Sequence, residues 1–406
     1  MNRQLPFLLL AAATMLSCSS SKYVNDPIDP DNPNEPDPTL VSISFGGNGG
    51  TWQDAPSSRS TQRANNSGKT GLESLFSTFR VWGYKTSAAD LTQAQTVMDG
   101  YRVLFVKDSE GSTDSNTDGW EYVGVKNPKL ASSQTIKYWD FSATSYRFFG
   151  YSLFDDTEAT IKTEGSNLSF TIPFKYSEKA TASSIPYASN LWIAKASDNS
   201  SSDETTADDG KYGSCVTLTF SPIIAKVRFR FSYPDGTEDI SIKDIKFCDS
   251  RYIDNPTAAD TPLQGNITTS YPLTGNPPST IPEFSWETAT SNGAKGVLIL
   301  TTPYEEKDAT IHIIPSVEEY AKWYYLPPMA AIPYEQGPYT ITARINGNLS
   351  AATVPAAYMQ WKAGYQYTYI FKITEAGTVI TFTDLQVEEW LPGSKIDNNG
   401  NGTEGW

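Results

Sequence analysis

From Leu40 onward the chain is written in short runs in which every second residue is apolar, each closed by Gly, Pro, Asn or Asp. Val41, Ile43 and Phe45 alternate with serines and stop at Gly46-Gly47-Asn48-Gly49-Gly50. Phe79, Val81 and Gly83 open a second run, Tyr101 to Val106 a third, and Tyr146 to Phe154, Leu168 to Ile172 and Leu191 to Ala194 continue. Further along come Val216 to Phe220, Val227 to Tyr233, Ile240 to Phe247, Val297 to Thr301, Thr310 to Ile314, Tyr339 to Ile345 and Tyr367 to Ile373. A period of two sends alternate side chains to opposite faces of a pleated strand, so each run predicts a strand with one buried face. Helical spacing surfaces only at Ser316 to Trp323. Short strands joined by turn residues predict an all-β protein of antiparallel sandwiches.

The 406 residues exceed what one such unit ordinarily holds. Ser197 to Gly210 is polar and acidic, with Ala207 its one apolar residue, and marks a boundary. The expectation is two tandem sandwich domains, 40–205 and 206–406. Aromatic residues make up 13% of the chain and charged residues 19%, a balance that suits pleated sheets.

The chain opens differently. One arginine precedes the apolar run Leu5 to Leu16, too short for a membrane span, and the run ends at Leu16-Ser17-Cys18-Ser19. Residues 1–17 read as a lipoprotein signal peptide of the bacterial lipobox type, cleaved before Cys18, whose thiol takes the lipid. Several acyl chains together anchor a protein stably, which predicts attachment to the cell outer membrane. Residues 18–39 carry a proline every few positions among acids, a composition that forbids helix and ladder and gives an extended tether. Cys215 and Cys248 both fall at strand ends and are either bridged or two buried thiols.

Chemistry is excluded more readily than found. The net charge of −15 argues against nucleic acid as a partner, and the single histidine, His312, rules out multi-histidine metal sites and most nucleophile–histidine pairs. His312 sits in an apolar strand with no ligand at metal spacing. Neighbouring acids such as Asp155-Asp156, Asp208-Asp209, Glu305-Glu306, Glu318-Glu319 and Glu388-Glu389 point to opposite faces of a strand, whereas glycosidase carboxylates must face each other. The glycine cluster after Phe45 lacks the Lys and Ser/Thr of a phosphate loop. Neither a cofactor, a metal nor an enzymatic activity is expected. Trp323, Tyr324 and Tyr325 are the type of residue that stacks on sugar rings or fills a core.

Several short motifs, taken together, carry a resemblance. They are the lipobox, a first alternating strand followed by Ser57-Ser-Arg-Ser-Thr61, the run Tyr138-Trp-Asp-Phe-Ser142 leading to Tyr146-Arg-Phe-Phe149, the block from Val216 to Phe229, and the ending Val387-Glu-Glu-Trp390. The combination resembles the fimbrillin family, the FimA/Mfa-like lipoprotein pilins of Bacteroidetes type V fimbriae. That resemblance implies two transthyretin-like, broadly immunoglobulin-like, β-sandwich domains. It also implies an Arg-specific maturation protease, loss of the first strand, and polymerisation with other fimbrial subunits as an incoming strand fills the groove, on the cell surface and in the service of adhesion. Here the removable strand is Leu40 to Phe45, with Val41, Ile43 and Phe45 as plugs, and the candidate cleavage sites are Arg59 and Arg63.

The candidate donor strand spans residues 378–390, with Ile380, Phe382, Leu385, Val387 and Trp390 as its apolar residues. Ile380 and Phe382 share one face and Leu385 and Val387 the other, so the pattern slips at Thr383-Asp384. Either a two-part donor or the bent last strand of its own domain produces such a slip. A second reading makes the protein a non-polymerising surface lipoprotein whose aromatic side chains bind a host or bacterial glycan or receptor. A more distant one is an enzyme that works with acids alone.

Overall fold

The computed structural model describes residues 41–49, 72–106, 113, 115–116, 119–123, 130–131, 133–152, 159–164, 166–175, 185–195, 209–210, 213–233, 240–249, 264–275, 284–288, 311–313, 319–320, 323–328, 339–374 and 379–389. Cys18, Arg59, Arg63, Trp390, the tether, the run from Val297 to Thr301 and most of the polar stretch from 197 to 210 lie outside them.

Eleven strands come first: β1 Phe45–Gly49, β2 Thr78–Ser87, β3 Asp90–Phe105, β4 Trp120–Glu121, β5 Ala143–Ser152, β6 Thr160–Glu164, β7 Asn167–Lys175, β8 Tyr187–Ser189, β9 Trp192–Lys195, β10 Asp209–Gly210 and β11 Val216–Pro222. The other eleven are β12 Ala225–Ser232, β13 Ile240–Asp249, β14 Gln264–Pro272, β15 Ser285–Thr288, β16 Ile311–Ile313, β17 Glu319–Tyr320, β18 Tyr324–Leu326, β19 Tyr339–Ile345, β20 Asn348–Val354, β21 Tyr365–Ile373 and β22 Ile380–Glu389. The fold is all-β, as the alternation requires. Among the described residues no helix is long and apolar enough to cross a membrane.

The largest sheet runs β1-β11-β8-β5-β2-β3-β4, with β9 and β10 attached beside β5. One face of β2 and β5 carries Trp82, Phe149 and Tyr151, and packs on a second sheet ordered β15-β14-β7-β6. There the Phe149 ring lies 5.1 Å from Phe170 and 4.3 Å from Tyr271. Phe79 and Phe148 share the opposite face, which is also covered, so β5 is buried on both sides from Tyr146 to Ser152. Gly150 has no side chain because Phe220 and Leu218 of β11 fold over it; a Cβ there would lie 2.6 Å from the Phe220 ring. The sheet therefore curls back on itself. The guanidinium of Arg147, buried on β5, donates to the carbonyls of Pro272 (2.7 Å), Thr274 (2.9 Å) and Gly275, and so ties the end of β14 to this sheet.

The remaining strands form two facing sheets, β17-β12-β21-β22 with β18 beside β12, and β16-β13-β19-β20. Phe247 of β13 meets Phe229 of β12 at 5.1 Å and Tyr369 of β21 at 5.5 Å across this interface.

The strand pairings add three details to the expected outline. Sheet membership does not change at 205/206: β11 still pairs with β8 and β1, and the switch comes between Pro222 and Ala225. The β14–β15 hairpin, from well inside the expected second domain, returns to pair with β7. A polar run shows where the chain leaves the core, not which sheet the next strand joins. The ladders are not wholly antiparallel, because β1 runs parallel to β11, β10 to β9 and β12 to β21. Finally, within the stretch of helical spacing, Glu319 and Tyr320 form a strand paired with Phe231 and Arg230, so a long-range ladder overrides the local period.

Candidate functional site

The first described segment, 41–49, changes partner midway. At its start, the Ile43 N–H donates to the Lys137 carbonyl (2.7 Å), the Trp139 N–H donates to the Val41 carbonyl (2.9 Å), and Ser42 bridges Tyr138 antiparallel. After Ser44, whose carbonyl accepts from the Val216 N–H (2.9 Å), the chain becomes β1 and runs parallel to β11 from Phe45–Val216 to Gly49–Phe220. Among the described residues β1 pairs with no strand on its other side, so it is an edge.

Of the expected plugs, Ile43 and Phe45 are fully buried and Val41 is half-buried against the same core. The Phe45 ring takes edge-on contacts with Phe148 (5.6 Å), Tyr122 (5.7 Å) and Phe79 (6.5 Å). Burying such a ring is worth about 1.5–3 kcal/mol before any contribution from ring geometry. Gly47 faces Leu218, and Leu72 closes over it. A Cβ at Gly47 would sit 2.6 Å from the Leu218 carbonyl oxygen and 2.8 Å from Leu72 Cδ2.

A polar clamp holds the front of this segment. The Tyr122 hydroxyl donates to the Ile43 carbonyl (2.8 Å) and accepts from the Lys137 N–H (3.1 Å), fixing strand and partner together. Burial pushes the Tyr122 phenol above its ordinary value, so the hydroxyl stays a donor. The Gln134 amide in turn donates to the Tyr122 carbonyl (2.5 Å) and the Arg102 carbonyl (2.9 Å). Next to the clamp, Lys85 Nζ meets Asp140 Oδ2 at 2.7 Å. With the Ser142 hydroxyl and N–H also donating to it, that carboxyl is held down to about 2. No sequence signal marked Tyr122 or Gln134, since one buried hydroxyl or amide among many looks the same until its partners are known.

At the other end, β22 is the last strand of its sheet and pairs antiparallel with β21 along its whole length. The core face of β21 carries Tyr367, Tyr369, Phe371 and Ile373, all essentially buried. Val387, Leu385, Phe382 and Ile380 lie opposite them, and Thr383 is the extra residue between the Ile370–Asp384 and Phe371–Phe382 pairs. The phase slip is thus a bulge, and it turns both halves of the strand toward one core. The Thr383 hydroxyl donates to the Ile370 carbonyl at 3.0 Å, pinning the bulge.

The remaining candidates fall elsewhere. Cys215 precedes β11 in the first sheet, whereas Cys248 lies in β13 opposite Thr340. His312 is in β16, opposite Ser241. Trp323, Tyr324 and Tyr325 are core residues, 4%, 3% and 8% exposed, and so offer no open ring to a sugar. Trp323 instead carries Arg228 (4.2 Å) and Lys226 (4.5 Å) over its ring. Among the described residues no group of three or more His, Cys, Asp or Glu side chains is placed to hold a metal.

Solved structures similar to this chain include a candidate cell adhesion protein from Bacteroides ovatus (12% identity, covering 87% of this chain and 98% of that one, TM-score 0.42). Another, from Bacteroides uniformis, shares 11% identity over 88% of this chain and 100% of that one, TM-score 0.40. The fimbrial anchor protein Mfa2 from Porphyromonas gingivalis shares 10% over 87% and 98%, TM-score 0.31. No curated protein matches the chain. The sequence profile of the fimbrillin-like family, by contrast, matches residues 92–390, which is most of the chain, and this protein belongs to that family.

Proposed function

We propose that the protein is a fimbrial subunit of the cell surface that receives a strand from a neighbouring subunit in place of its own segment 41–49. The observation that carries this reading is the way the segment is held. Its plugs, Ile43 and Phe45, are fully buried, yet it lies at a sheet edge and its ladder to β11 covers only Phe45–Gly49. Residues 50–71 alone join it to the sandwiches, and Arg59 and Arg63 are in that stretch. One cut there leaves the strand bound by non-covalent contacts only. Its loss would expose the β11 ladder and an aromatic slot, which a β-strand can satisfy and a globular surface cannot.

On this reading the protein arrives as a lipoprotein anchored through Cys18 to the outer membrane, the tether of residues 18–39 lifts it from the lipid, and an Arg-specific protease releases it for assembly. As β22 completes its own sheet, the geometry supports an acceptor role more directly than a donor role for residues 378–390. Treating the full-length chain with an Arg-specific protease tests the proposal. The expected result is loss of residues 41–49 from the product and uptake in their place of an added synthetic 41–49 peptide, both abolished when Arg59 and Arg63 are changed to Ala. A cut chain that keeps the segment and takes up no added strand would overturn it.

A further inference from the structure

We infer that the groove now occupied by residues 41–49 admits an exchanged strand only if it carries an aliphatic residue at position 43, an aromatic one at 45 and a glycine at 47, and that the strand it takes therefore comes from a different subunit rather than from a second copy of this chain. This rests on the strand-exchange reading above and adds a rule for the partner.

The groove imposes three requirements in a fixed register. Ile43 fills a fully closed position beside the 137–139 segment. Two residues on, Phe45 fills a slot walled by the rings of Phe79, Tyr122 and Phe148. Two residues further, Gly47 meets a wall. The atom in the way is the Leu218 backbone oxygen, 2.6 Å from any Cβ placed there, and it belongs to the strand that must remain to pair with the newcomer. A side-chain tip would swing aside; a ladder carbonyl does not. The clamp reads no side chain, because Tyr122 bonds the carbonyl at position 43, which every strand offers.

The chain's own last strand passes two of these tests and fails the third. Ile380-Thr381-Phe382 reproduces Ile43-Ser44-Phe45, so its plugs fit both closed positions. Beyond Phe382, a regular strand would turn Asp384 toward Leu218, and a strand keeping its bulge at Thr383 would turn Leu385 there. Both residues carry a Cβ. Joining copies head to tail through β22 therefore meets the same wall in either geometry, whereas a foreign strand with glycine at this place does not.

Fluorescent peptides offered to the full-length chain after Arg-specific cleavage test the rule, with co-elution on size exclusion as the readout. The peptide of residues 41–49 is expected to incorporate, and its Gly47→Ala form about ten-fold less or worse. The peptide of residues 378–390 is expected to be excluded, and its Asp384→Gly form to gain entry. Equal incorporation of the 41–49 peptide and its Gly47→Ala form, or ready entry of unchanged 378–390, would overturn the filter while leaving exchange intact. Failure of the unchanged 41–49 peptide to enter would instead remove the exchange reading itself.

Discussion

The two terminal strands carry the same signature, Ile-x-Phe at a sheet edge, and are held in opposite ways. The 41–49 segment lies between two partners, touching 137–139 through three residues and β11 through five, and pairs parallel with the latter. β22 lies against one partner for ten residues, antiparallel, with a bulge that turns four apolar side chains to one core. Hydrophobic content does not separate them, for Phe45 is better buried than Phe382. What separates them is how the ladder is distributed. A short, split ladder leaves few bonds to break once the plugs move, whereas a continuous one must be unzipped from an end. Buried side chains on a short ladder are what the proposed exchange requires: a segment held in place by its core contacts and joined by few backbone bonds.

The most forceful way to break this contrast is to delete Thr383. Without the bulge, Leu385 and Val387 face away from the core, and the loss is expected to reach about 3–6 kcal/mol. Urea unfolding should then show a weakened global transition. Phe45→Ala is expected to cost about 3–5 kcal/mol, but locally: residues 41–49 should become protease-sensitive while β22 keeps its hydrogen-exchange protection. Loss of protection in both places would mean that the segment belongs to the global folding unit and is not replaceable.

Gly47→Ala in the full chain sharpens the comparison further, with an expected cost of about 1–3 kcal/mol read as faster release of 41–49 after cleavage. Tyr122→Phe removes one donor from a buried carbonyl and is expected to cost about 1–3 kcal/mol, visible first as faster exchange of the Ile43 amide. The smallest effect concerns Asp140. Its folded-state value near 2 lies below the ordinary 3.8, so its contribution is complete above about pH 4 and fades as the pH falls toward 2. Because the Lys85–Asp140 pair is partly exposed, that contribution stays under about 1 kcal/mol. Release of 41–49 should quicken slightly on acidification over that window, and Asp140→Asn should remove the dependence.

Much of the molecule was legible beforehand. The burial of Ile43 and Phe45 followed from alternation, because only the buried face of a strand needs to be apolar, and the slip at Thr383-Asp384 was visible, though only the pairing with β21 made it a bulge and not a change of sheet. The runs that read as strands from Phe79 to Ile373 contain strands, to within a residue or so at their ends, wherever they fall among the described residues; in the first run only Phe45 is in a regular strand, which continues to Gly49 through glycines that read as a hairpin or loop. Partners were not legible. Nothing local in Val216 to Phe220 says that it pairs with β1, nor in Ile267 that it returns to β7.

The sequence by itself determined that this is an all-β chain of the fimbrillin-like kind, that Ile43 and Phe45 belong on a buried face, and that the apolar pattern of its last strand slips near Thr383, since each is a matter of spacing along one strand. Only the tertiary structure decided the order of the strands, the closing of Tyr122 on Ile43, and the wall that keeps position 47 a glycine. Those depend on which carbonyl or ring arrives from a distant part of the chain, and a period of two is silent about arrivals.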